Sequence, residues 1–341
     1  MQQTEMNDGI IRTNGLAIGY FRKKKPCRVQ SDLNLNVLRG ELVCLIGPNG
    51  CGKSTLLRSM AGLQPLLAGD ITVDGLSLNR LALKDKAKLL ALVLTDRVEV
   101  GNLTVRELVA IGRSPYTDWL GNLTEEDWRI STKAIEQVHL ENYEDRFLSE
   151  LSDGERQRAM IAKALVQDTP VIFLDEPTAH LDLPNRVEIM ILLRRLAKET
   201  HKAVILSTHE LDLALQASDK LWLMAPRGGI TVGTPEDLIL DNSIQTVFAN
   251  KAFRFDGSTG NFVMNHDGTP RAVSLTAKGE GMRLYWTERA LRRCGYQIAA
   301  EADCRVTVDE ESEIWEVKTT KSVEKAFSLE ELIRLIEENY F

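Results

Sequence analysis

Residues 47–55 have the types and spacing needed to bind the phosphates of a nucleotide. They fit G-x-x-x-x-G-K-[ST], a loop whose glycines let several backbone N–H groups face one concavity. An apolar run, residues 41–46, precedes the loop, and a helical pattern follows it, so a helix N-terminus would add its positive dipole end. Lys53 could neutralise the β- and γ-phosphates, and the Ser54 hydroxyl could bind Mg²⁺. The predicted phosphate-binding residues are Gly47, Pro48, Asn49, Gly50, Cys51, Gly52, Lys53, Ser54 and Thr55.

Two carboxylates follow a second apolar run, at residues 171–174. Alone, Asp175 and Glu176 would often be solvated acids at the end of a strand. Beside a phosphate loop, Asp175 could hold Mg²⁺ while Glu176 polarises the attacking water. The two motifs together therefore predict a site of nucleotide hydrolysis.

The elements that must position these groups alternate along the chain. Apolar runs at residues 41–46, 171–174 and 203–206 are typical of strands buried on both faces, and residues 183–198 have helical spacing. This alternation predicts an α/β core with a largely parallel sheet. Upstream, residues 10–18 predict two short strands joined by a hairpin turn at Asn14-Gly15.

The pattern changes near residue 250. Beyond it, turn clusters flank short strands, a helix is predicted over residues 282–293, and a capping box at Ser328 begins the last helix. We therefore predict two domains, residues 1–250 and a smaller α+β domain at residues 251–341.

The composition limits the class of protein. The 341 residues include 42 Lys+Arg and 49 Asp+Glu, a net charge of −7, which argues against a dedicated duplex-DNA binder. No apolar run approaches the roughly 18–20 residues that span a bilayer, and the start has no signal-peptide pattern. Five scattered cysteines without a CxxC pair fit a reducing cytoplasm. We expect a soluble chain that meets a membrane only through partners.

Several ordered motifs resemble those of ATP-binding cassette (ABC) proteins, over roughly residues 10–240. Residues 151–157, LSDGERQ, resemble the LSGGQ signature, and residues 175–182 resemble the Walker B motif with its D-loop. Residues 207–210 resemble the switch-histidine loop, and Tyr20 matches the A-loop aromatic that stacks on adenine. The resemblance implies a P-loop NTPase fold with a RecA-like core, an antiparallel β subdomain and a helical subdomain.

The resemblance also implies how ATP and Mg²⁺ are bound. In this family two cassettes sandwich two ATP molecules head to tail. Ser152 and Gly154 of one subunit would contact the γ-phosphate held by Lys53 in the other subunit. His209 would sense that phosphate, and Asp182 of the D-loop would belong to the nucleotide-binding set.

The sequence departs from the family at the Q-loop, where Asp96 stands in place of the usual glutamine. No glutamine occurs between Gln64 and Gln137, so a register shift cannot supply one. Two interpretations remain open. Asp96 could serve as a substitute that binds the metal and acts in catalysis, or the loop could have lost part of its ATP-sensing role. We favour the first, because the other catalytic positions match.

Residues 105–116, and especially residues 112–116 (GRSPY), resemble the ATPases of metal-chelate importers, which take up ferric siderophores, haem and vitamin B12. This resemblance implies an ATP-hydrolysing homodimer under two transmembrane permease subunits, on the cytoplasmic face of the cell membrane. A periplasmic or surface substrate-binding protein would be an indirect partner, and nucleic acid would not be one. Two alternatives are an exporter ATPase and a soluble ABC protein acting on nucleic acid or ribosomes. Against the second, the chain has one cassette, no sustained heptads and no basic tract.

Overall fold

The computed structural model of the protein describes residues 9–23, 25–94, 102–226, 228–250, 252–265, 271–320 and 322–340. These residues form two compact units. The first unit runs to Ala249 and includes Phe255–Asn261, and the second comprises Asn250–Arg254 and the residues from Phe262 onward. The domain boundary at residue 250 remains our proposal for the chain.

An antiparallel sheet begins the first unit, in the order β2-β1-β5-β6 with β3 also paired to β1. Its strands are β1 (Ile11–Arg22), β2 (Lys25–Leu33), β3 (Asn36–Val37), β5 (Ala68–Val73) and β6 (Leu76–Ser77). The hairpin predicted at Asn14-Gly15 is wrong, because β1 continues through these residues. The β1–β5 register shifts between Asn14 and Ala17, and Gly15 has φ +54°. Asn and Gly often close hairpins, but in β1 they form a bulge.

A six-stranded sheet forms the centre of the first unit, in the order β11-β10-β4-β9-β8-β7. Its strands are β4 (Leu42–Ile46), β7 (Leu90–Val93), β8 (Val171–Asp175), β9 (Ala203–Ser207), β10 (Lys220–Met224) and β11 (Ile230–Gly233). All neighbours are parallel except β10 and β11. Every residue of β4, β8 and β9 is buried, as their continuous apolar runs predict. The carboxyl ends of these three strands therefore meet at one edge of the sheet.

The helices of the first unit connect and cover these strands. They are α1 (Lys53–Met60), α2 (Leu83–Lys86), α3 (Val105–Ile111), α4 (Glu125–Gln137), α5 (Asp153–Val166), α6 (Leu183–Thr200), α7 (Leu211–Ala217), α8 (Pro235–Leu240) and α9 (Ser243–Val247). Helix α6 confirms the helix predicted over residues 183–198. The arrangement is the predicted α/β architecture of a P-loop NTPase.

Helices α3, α4 and α5 form the helical part of the first unit, and a capping box begins each of them. Thr124 accepts a hydrogen bond from the Asp127 N–H, and the Asp127 carboxylate accepts one from the Thr124 N–H at the start of α4. Because each cap satisfies backbone donors locally, these short helices keep defined first turns.

The second unit contains a mixed sheet in the order β15-β14-β16-β17-β18. The elements of this unit are β14 (Arg271–Lys278), α10 (Met282–Arg293), β15 (Tyr296–Ala299), β16 (Cys304–Asp309), β17 (Ile314–Lys318), β18 (Val323–Ala326) and α11 (Leu329–Tyr340). The strands β12 (Phe253–Asp256) and β13 (Asn261–Met264) form a separate pair, and each has residues in both units. One apolar cluster joins Val306 and Trp315 of the sheet with Leu291 of α10 and Leu332 of α11. This is the predicted α+β fold. Within the described ranges, no helix has both the length and the apolar character required to cross a bilayer.

Candidate active site

The predicted phosphate loop lies between the end of β4 and the start of α1. Two of its glycines are required by close packing. A Cβ atom on Gly47 would lie 2.3 Å from the carbonyl oxygen of Met224, and one on Gly52 would lie 2.2 Å from Cγ1 of Val29. Gly52 also has φ +113°, a conformation that side chains disfavour. The loop therefore packs closely against β10 at Gly47 and against β2 at Gly52.

Lys53 is folded back onto this loop. Its Nζ donates a hydrogen bond to the carbonyl oxygen of Gly47 at 2.9 Å, and the residue is only 6% exposed. Burial lowers the pKa of Lys53, while the nearby charges of Cys51, Glu176 and Asp175 oppose that shift. An anionic phosphate would favour the charged ammonium, so the loop holds a cation suited to an incoming anion.

Ser54, in the first turn of α1, and Asp175, at the end of β8, come together in the core. The Ser54 hydroxyl donates to Oδ1 of Asp175 at 3.1 Å, and the Ser207 hydroxyl donates to the same oxygen at 2.7 Å. Ser207 in turn accepts the backbone N–H of Glu176 at 2.9 Å. Asp175 is 4% exposed, so these bonds hold a buried carboxylate in one orientation.

The Ser54 hydroxyl and the Asp175 carboxylate fit Mg²⁺, which prefers oxygen ligands. Two adjacent ligands of an octahedral Mg²⁺ ion, each at about 2.0–2.1 Å, would lie about 2.9 Å apart. The observed 3.1 Å between Ser54 Oγ and Asp175 Oδ1 is close to that spacing. Among the described residues there is no cluster of three or more His, Cys, Asp or Glu residues able to bind a metal. Such an ion would therefore take most of its ligands from substrate and water.

Glu176 and His209 form the exposed part of the site. His209 Nε2 is 2.5 Å from Oε1 of Glu176, and their side chains are 45% and 29% exposed. Glu176 has φ +49°, a costly conformation for a residue that is not glycine, immediately after β8. The strained backbone directs the carboxylate out of the strand to a place that water can reach.

A second group of predicted residues lies at the starts of α5 and α6. The Ser152 hydroxyl caps α5 and donates to Glu155 Oε2 at 2.8 Å. A Cβ atom on Gly154 would lie 2.4 Å from Oδ1 of Asn185, and Asn185 Nδ2 donates to Asp182 at 2.6 Å. Within the described part of the chain, no hydrogen bond or ion pair joins Ser152, Gly154 or Asp182 to residues 47–55.

Tyr20 and Asp96 were the other two predicted site residues. Tyr20 lies on β1, pairs with Cys27 of β2 and is 53% exposed, so its ring is open to a planar ligand. Asp96 lies outside the residues that the structure describes. Its role as a metal-binding and catalytic group therefore stays a prediction.

The sequence analysis missed two supporting residues. Gln30 is 4% exposed and bonds the turn that follows β10, with Nε2 donating to the Ala225 carbonyl at 2.9 Å and Oε1 accepting the Gly229 N–H at 3.1 Å. Asn185 contacts both the signature stretch and Asp182, as described above. No local pattern marks either residue, because each acts on a segment far away in sequence.

The stretch at residues 112–116 fixes the helical part of the unit. Arg113 is buried, with Nε donating to Asp127 Oδ1 at 2.7 Å and Nη1 donating to the Val166 carbonyl at 3.1 Å. Its guanidinium lies 4.0 Å from the ring centroid of Tyr116, whose hydroxyl donates to the Gln167 carbonyl at 3.1 Å. These contacts join α3 to the start of α4 and the end of α5.

Comparisons with known proteins identify the same regions. Residues 30–179 match the family model of the ABC transporter, and residues 270–337 match that of the iron ABC transporter C-terminal domain. The chain is 41% identical over 244 residues to the petrobactin import ATP-binding protein FpuC of Bacillus anthracis, which covers 71% of this chain and 88% of that protein. It is 36% identical over 238 residues to the iron(3+)-hydroxamate import ATP-binding protein FhuC of Bacillus subtilis, covering 70% and 87%.

The fold is similar to that of a dimeric ATP-binding cassette solved in a post-hydrolysis state with ADP and Pi. The TM-score is 0.57 at 25% identity, over 66% of this chain and 98% of that one. The similarity spans the cassette, whereas the second unit is matched by the separate C-terminal family.

Proposed function

The chain belongs to the ATP-binding cassette family of ABC transporters, and from that membership we propose that it is the ATP-hydrolysing subunit of an importer of metal chelates. The substrates would be ferric siderophores, haem or cobalamin. The observation that carries this class is the match of residues 270–337 to an iron ABC transporter C-terminal domain, beside a cassette similar to siderophore import proteins. An exporter, or a protein acting on nucleic acid, is not favoured, because these relatives are named for import.

ATP binding would use the exposed ring of Tyr20 and the phosphate loop. Tyr20 would stack on adenine, while the backbone N–H groups of residues 47–55 surround the phosphates. Lys53 would exchange its bond to the Gly47 carbonyl for the β- and γ-phosphates. Since that exchange replaces a neutral partner with an anion, it favours the charged form of Lys53.

Ser54 and Asp175 would hold Mg²⁺, and Asp96 is proposed as a further oxygen ligand. When bound, the ion neutralises negative charge on the phosphates. Ser207 would keep the Asp175 oxygen in place through its 2.7 Å hydrogen bond.

Glu176 would act as the general base. Its carboxylate would accept a proton from the water that attacks the γ-phosphate, leaving ADP and phosphate. His209 holds that carboxylate through Oε1 and would sense the γ-phosphate. The strained φ of Glu176 keeps the group outside the sheet, where water is available.

A second copy of the chain would complete each site. Ser152, Gly154 and Asp182 form a group that is separate from the phosphate loop, and we propose that they face nucleotide bound by the other copy. The homodimer would dock on two transmembrane permease subunits at the cytoplasmic face of the cell membrane. A periplasmic or surface substrate-binding protein would deliver the chelate from the outer side, and no nucleic-acid partner is proposed.

Uptake by cells lacking this gene would test the proposal. The cells are supplied with a radiolabelled ferric hydroxamate, ferric catecholate, haem or cobalamin, and with the wild-type chain or its Lys53→Ala variant. We expect the wild-type chain to restore uptake of at least one of these chelates. We expect Lys53→Ala not to restore it, because the variant lacks the cation of the phosphate loop.

Two results would count against the proposal. One is unchanged uptake of every chelate after loss of the gene, and the other is full rescue by Lys53→Ala. The Lys133→Gln variant, which changes an exposed lysine on α4, is the matched control and should behave as wild type.

A further inference from the structure

Three large apolar side chains are exposed together near the connection between α3 and α4. Trp119 is 91% exposed, Leu120 is 64% exposed, and Leu83 at the start of α2 is 75% exposed. The Lys84 ammonium donates to the Thr117 carbonyl at 3.3 Å, which places α2 beside this loop. Exposed apolar groups of this size in a cluster mark an interaction site more often than isolated ones do. We call Leu83, Trp119 and Leu120 the tryptophan surface.

The backbone of this loop is fixed by Asp118. Its Oδ1 accepts the N–H groups of Leu120 at 2.9 Å and Asn122 at 3.1 Å, and its Oδ2 accepts Asn122 Nδ2 at 3.0 Å. Hydrogen bonds from Asn122 lower the pKa of Asp118, so its carboxylate keeps these bonds over the whole physiological range. The exposure of Trp119 therefore belongs to a defined loop conformation.

Positive charge borders the tryptophan surface on its α2 side, whereas the loop that carries Trp119 contains the exposed acid Asp118. Residues 80–88 contain four cations and one anion, a net charge of +3 in a chain whose total is −7; the cations are Arg80, Lys84, Lys86 and Lys88. Lys84 and Lys88 are exposed. Across the part of the chain that the structure describes, no carboxylate forms an ion pair with any of the four cations. Lys88 Nζ lies 5.7 Å from the centroid of the Tyr116 ring and keeps an exposed side chain. This positive segment contrasts with the net negative charge of the chain and can attract an anionic partner.

We propose that the tryptophan surface and its lysines bind the anionic headgroup region of a lipid bilayer. Tryptophan favours the membrane–water interface, because its ring is largely apolar while its indole N–H can bond headgroups. Leu83 and Leu120 would enter the acyl boundary beside it, and Lys84 and Lys88 would pair with lipid phosphates. The combination of a protruding apolar tip with basic residues along α2 favours a lipid surface over an apolar protein groove.

This contact goes beyond the proposed function, because it needs neither nucleotide nor permease. It would give the ATPase its own affinity for the membrane on which its permease lies. Each basic residue near such a surface strengthens binding about fivefold, and that term falls as salt increases.

Vesicle binding by the full chain would test this surface. The chain is mixed with vesicles of phosphatidylglycerol and phosphatidylcholine, or of phosphatidylcholine alone, and the bound fraction is measured by co-sedimentation. We expect binding to the anionic vesicles that weakens as salt rises. Trp119→Ser with Leu120→Ser should weaken it about tenfold or more, and Lys84→Gln with Lys88→Gln should weaken it by a similar factor.

The control variants are Leu240→Ser, which changes an 80% exposed leucine on α8, and Lys133→Gln on α4. Both should bind anionic vesicles as wild type does. All variants should keep the wild-type circular dichroism spectrum and ATPase activity, which separates this surface from the nucleotide site. Unchanged chelate uptake in cells lacking the gene, together with anionic-vesicle binding by the wild-type chain, would contradict only the proposed function.

Three results would overturn the lipid contact. They are no binding to anionic vesicles, equal binding to phosphatidylcholine alone, and wild-type binding by the Trp119→Ser, Leu120→Ser variant. Protection of Trp119 from oxidation by a detergent-solubilised permease, without protection by anionic vesicles, would assign this surface to a protein contact and would also overturn the proposal.

Discussion

His209 Nε2 lies 2.5 Å from Oε1 of Glu176, which joins the loop after β9 to the residue that follows β8. An ionised carboxylate can only accept a hydrogen bond, and imidazole Nε2 donates one in the tautomer that carries its proton there. The bond occupies one oxygen of Glu176 and leaves the other free to meet water. The proposed general base and the residue proposed to orient it are therefore already in contact within the single chain.

Replacing Glu176 by glutamine tests this assignment. Glu176→Gln keeps the shape and a hydrogen bond to His209 but removes the proton acceptor. We expect ATP hydrolysis to fall by about 10²–10³-fold, within the range for loss of a general base, while the Kd for ATP changes only slightly. Phosphate release and fluorescent-ATP binding would measure the two quantities separately.

The control for that variant is Glu199→Gln, which makes the same change on the exposed side of α6. It should hydrolyse ATP at the wild-type rate. Turnover by Glu176→Gln within a few-fold of wild type would exclude Glu176 as the base.

The sequence predicted the core because its signals are local. The apolar runs of β4, β8 and β9 identify strands covered on both faces, whatever lies beside them. The prediction of a hairpin turn at Asn14-Gly15 was wrong, because the same pair of residues is compatible with both a hairpin turn and a bulge. Pairing with β5, more than fifty residues away, decides between them.

In the candidate site, too, the sequence predicted the local features and missed those that depend on distant contacts. The spacing of residues 47–55 predicted the phosphate loop, whose conformation is encoded in consecutive residues. The supporting roles of Gln30 and Asn185 could not be predicted, since the hydrogen bonds or contacts that each makes depend on which distant segment the fold places beside it. Gln30, for example, contacts a carbonyl 195 positions away.

Gln30 provides a test of such a long-range contact. Gln30→Ala would leave the partly buried Ala225 carbonyl and Gly229 N–H without their side-chain partner. We expect the free energy of unfolding to fall by about 1–3 kcal/mol. Urea denaturation would measure the loss, with Gln297→Ala, at an exposed position of β15, as the control. A change below about 0.5 kcal/mol would show that water replaces both bonds.

Cys44 gives the first unit a dependence on alkaline pH. This thiol on β4 has no exposed surface, and burial raises its pKa from 9.0 to about 12. Between those values the unfolded chain binds fewer protons than the native one, so stability is lost as pH rises. For this group alone the loss is about 1.4 kcal/mol per pH unit above pH 9.

Cys44→Ala should remove this contribution to the loss of stability at alkaline pH. Between pH 8 and pH 10 the wild-type chain should lose about 1.4 kcal/mol more stability than the variant, whatever the absolute cost of the smaller side chain. Cys27→Ala, at a partly exposed position of β2, should follow the wild-type pH dependence. Equal losses in the wild-type chain and Cys44→Ala would show that the thiol does not control this range.

Gly154 and Asn185 allow a test of how the two helix starts are coupled. A methyl group at Gly154 would lie 2.4 Å from Oδ1 of Asn185, so Gly154→Ala must displace that amide from Asp182. We expect the single variant to lose about 1–3 kcal/mol of stability and part of its ATPase activity. Asn185→Ala alone should cost less, because Asp182 still caps α6 through the backbone N–H of residue 185 at 3.1 Å.

The double variant Gly154→Ala, Asn185→Ala should be more stable than the sum of the two single changes predicts, because the smaller side chain makes room for the methyl group. We expect a coupling free energy of at least about 1 kcal/mol, measured as a double-mutant cycle by urea denaturation. ATPase activity should recover in the same order, since Ser152 and Gly154 share the first turn of α5. Strictly additive losses would show that α5 and α6 tolerate the methyl group independently.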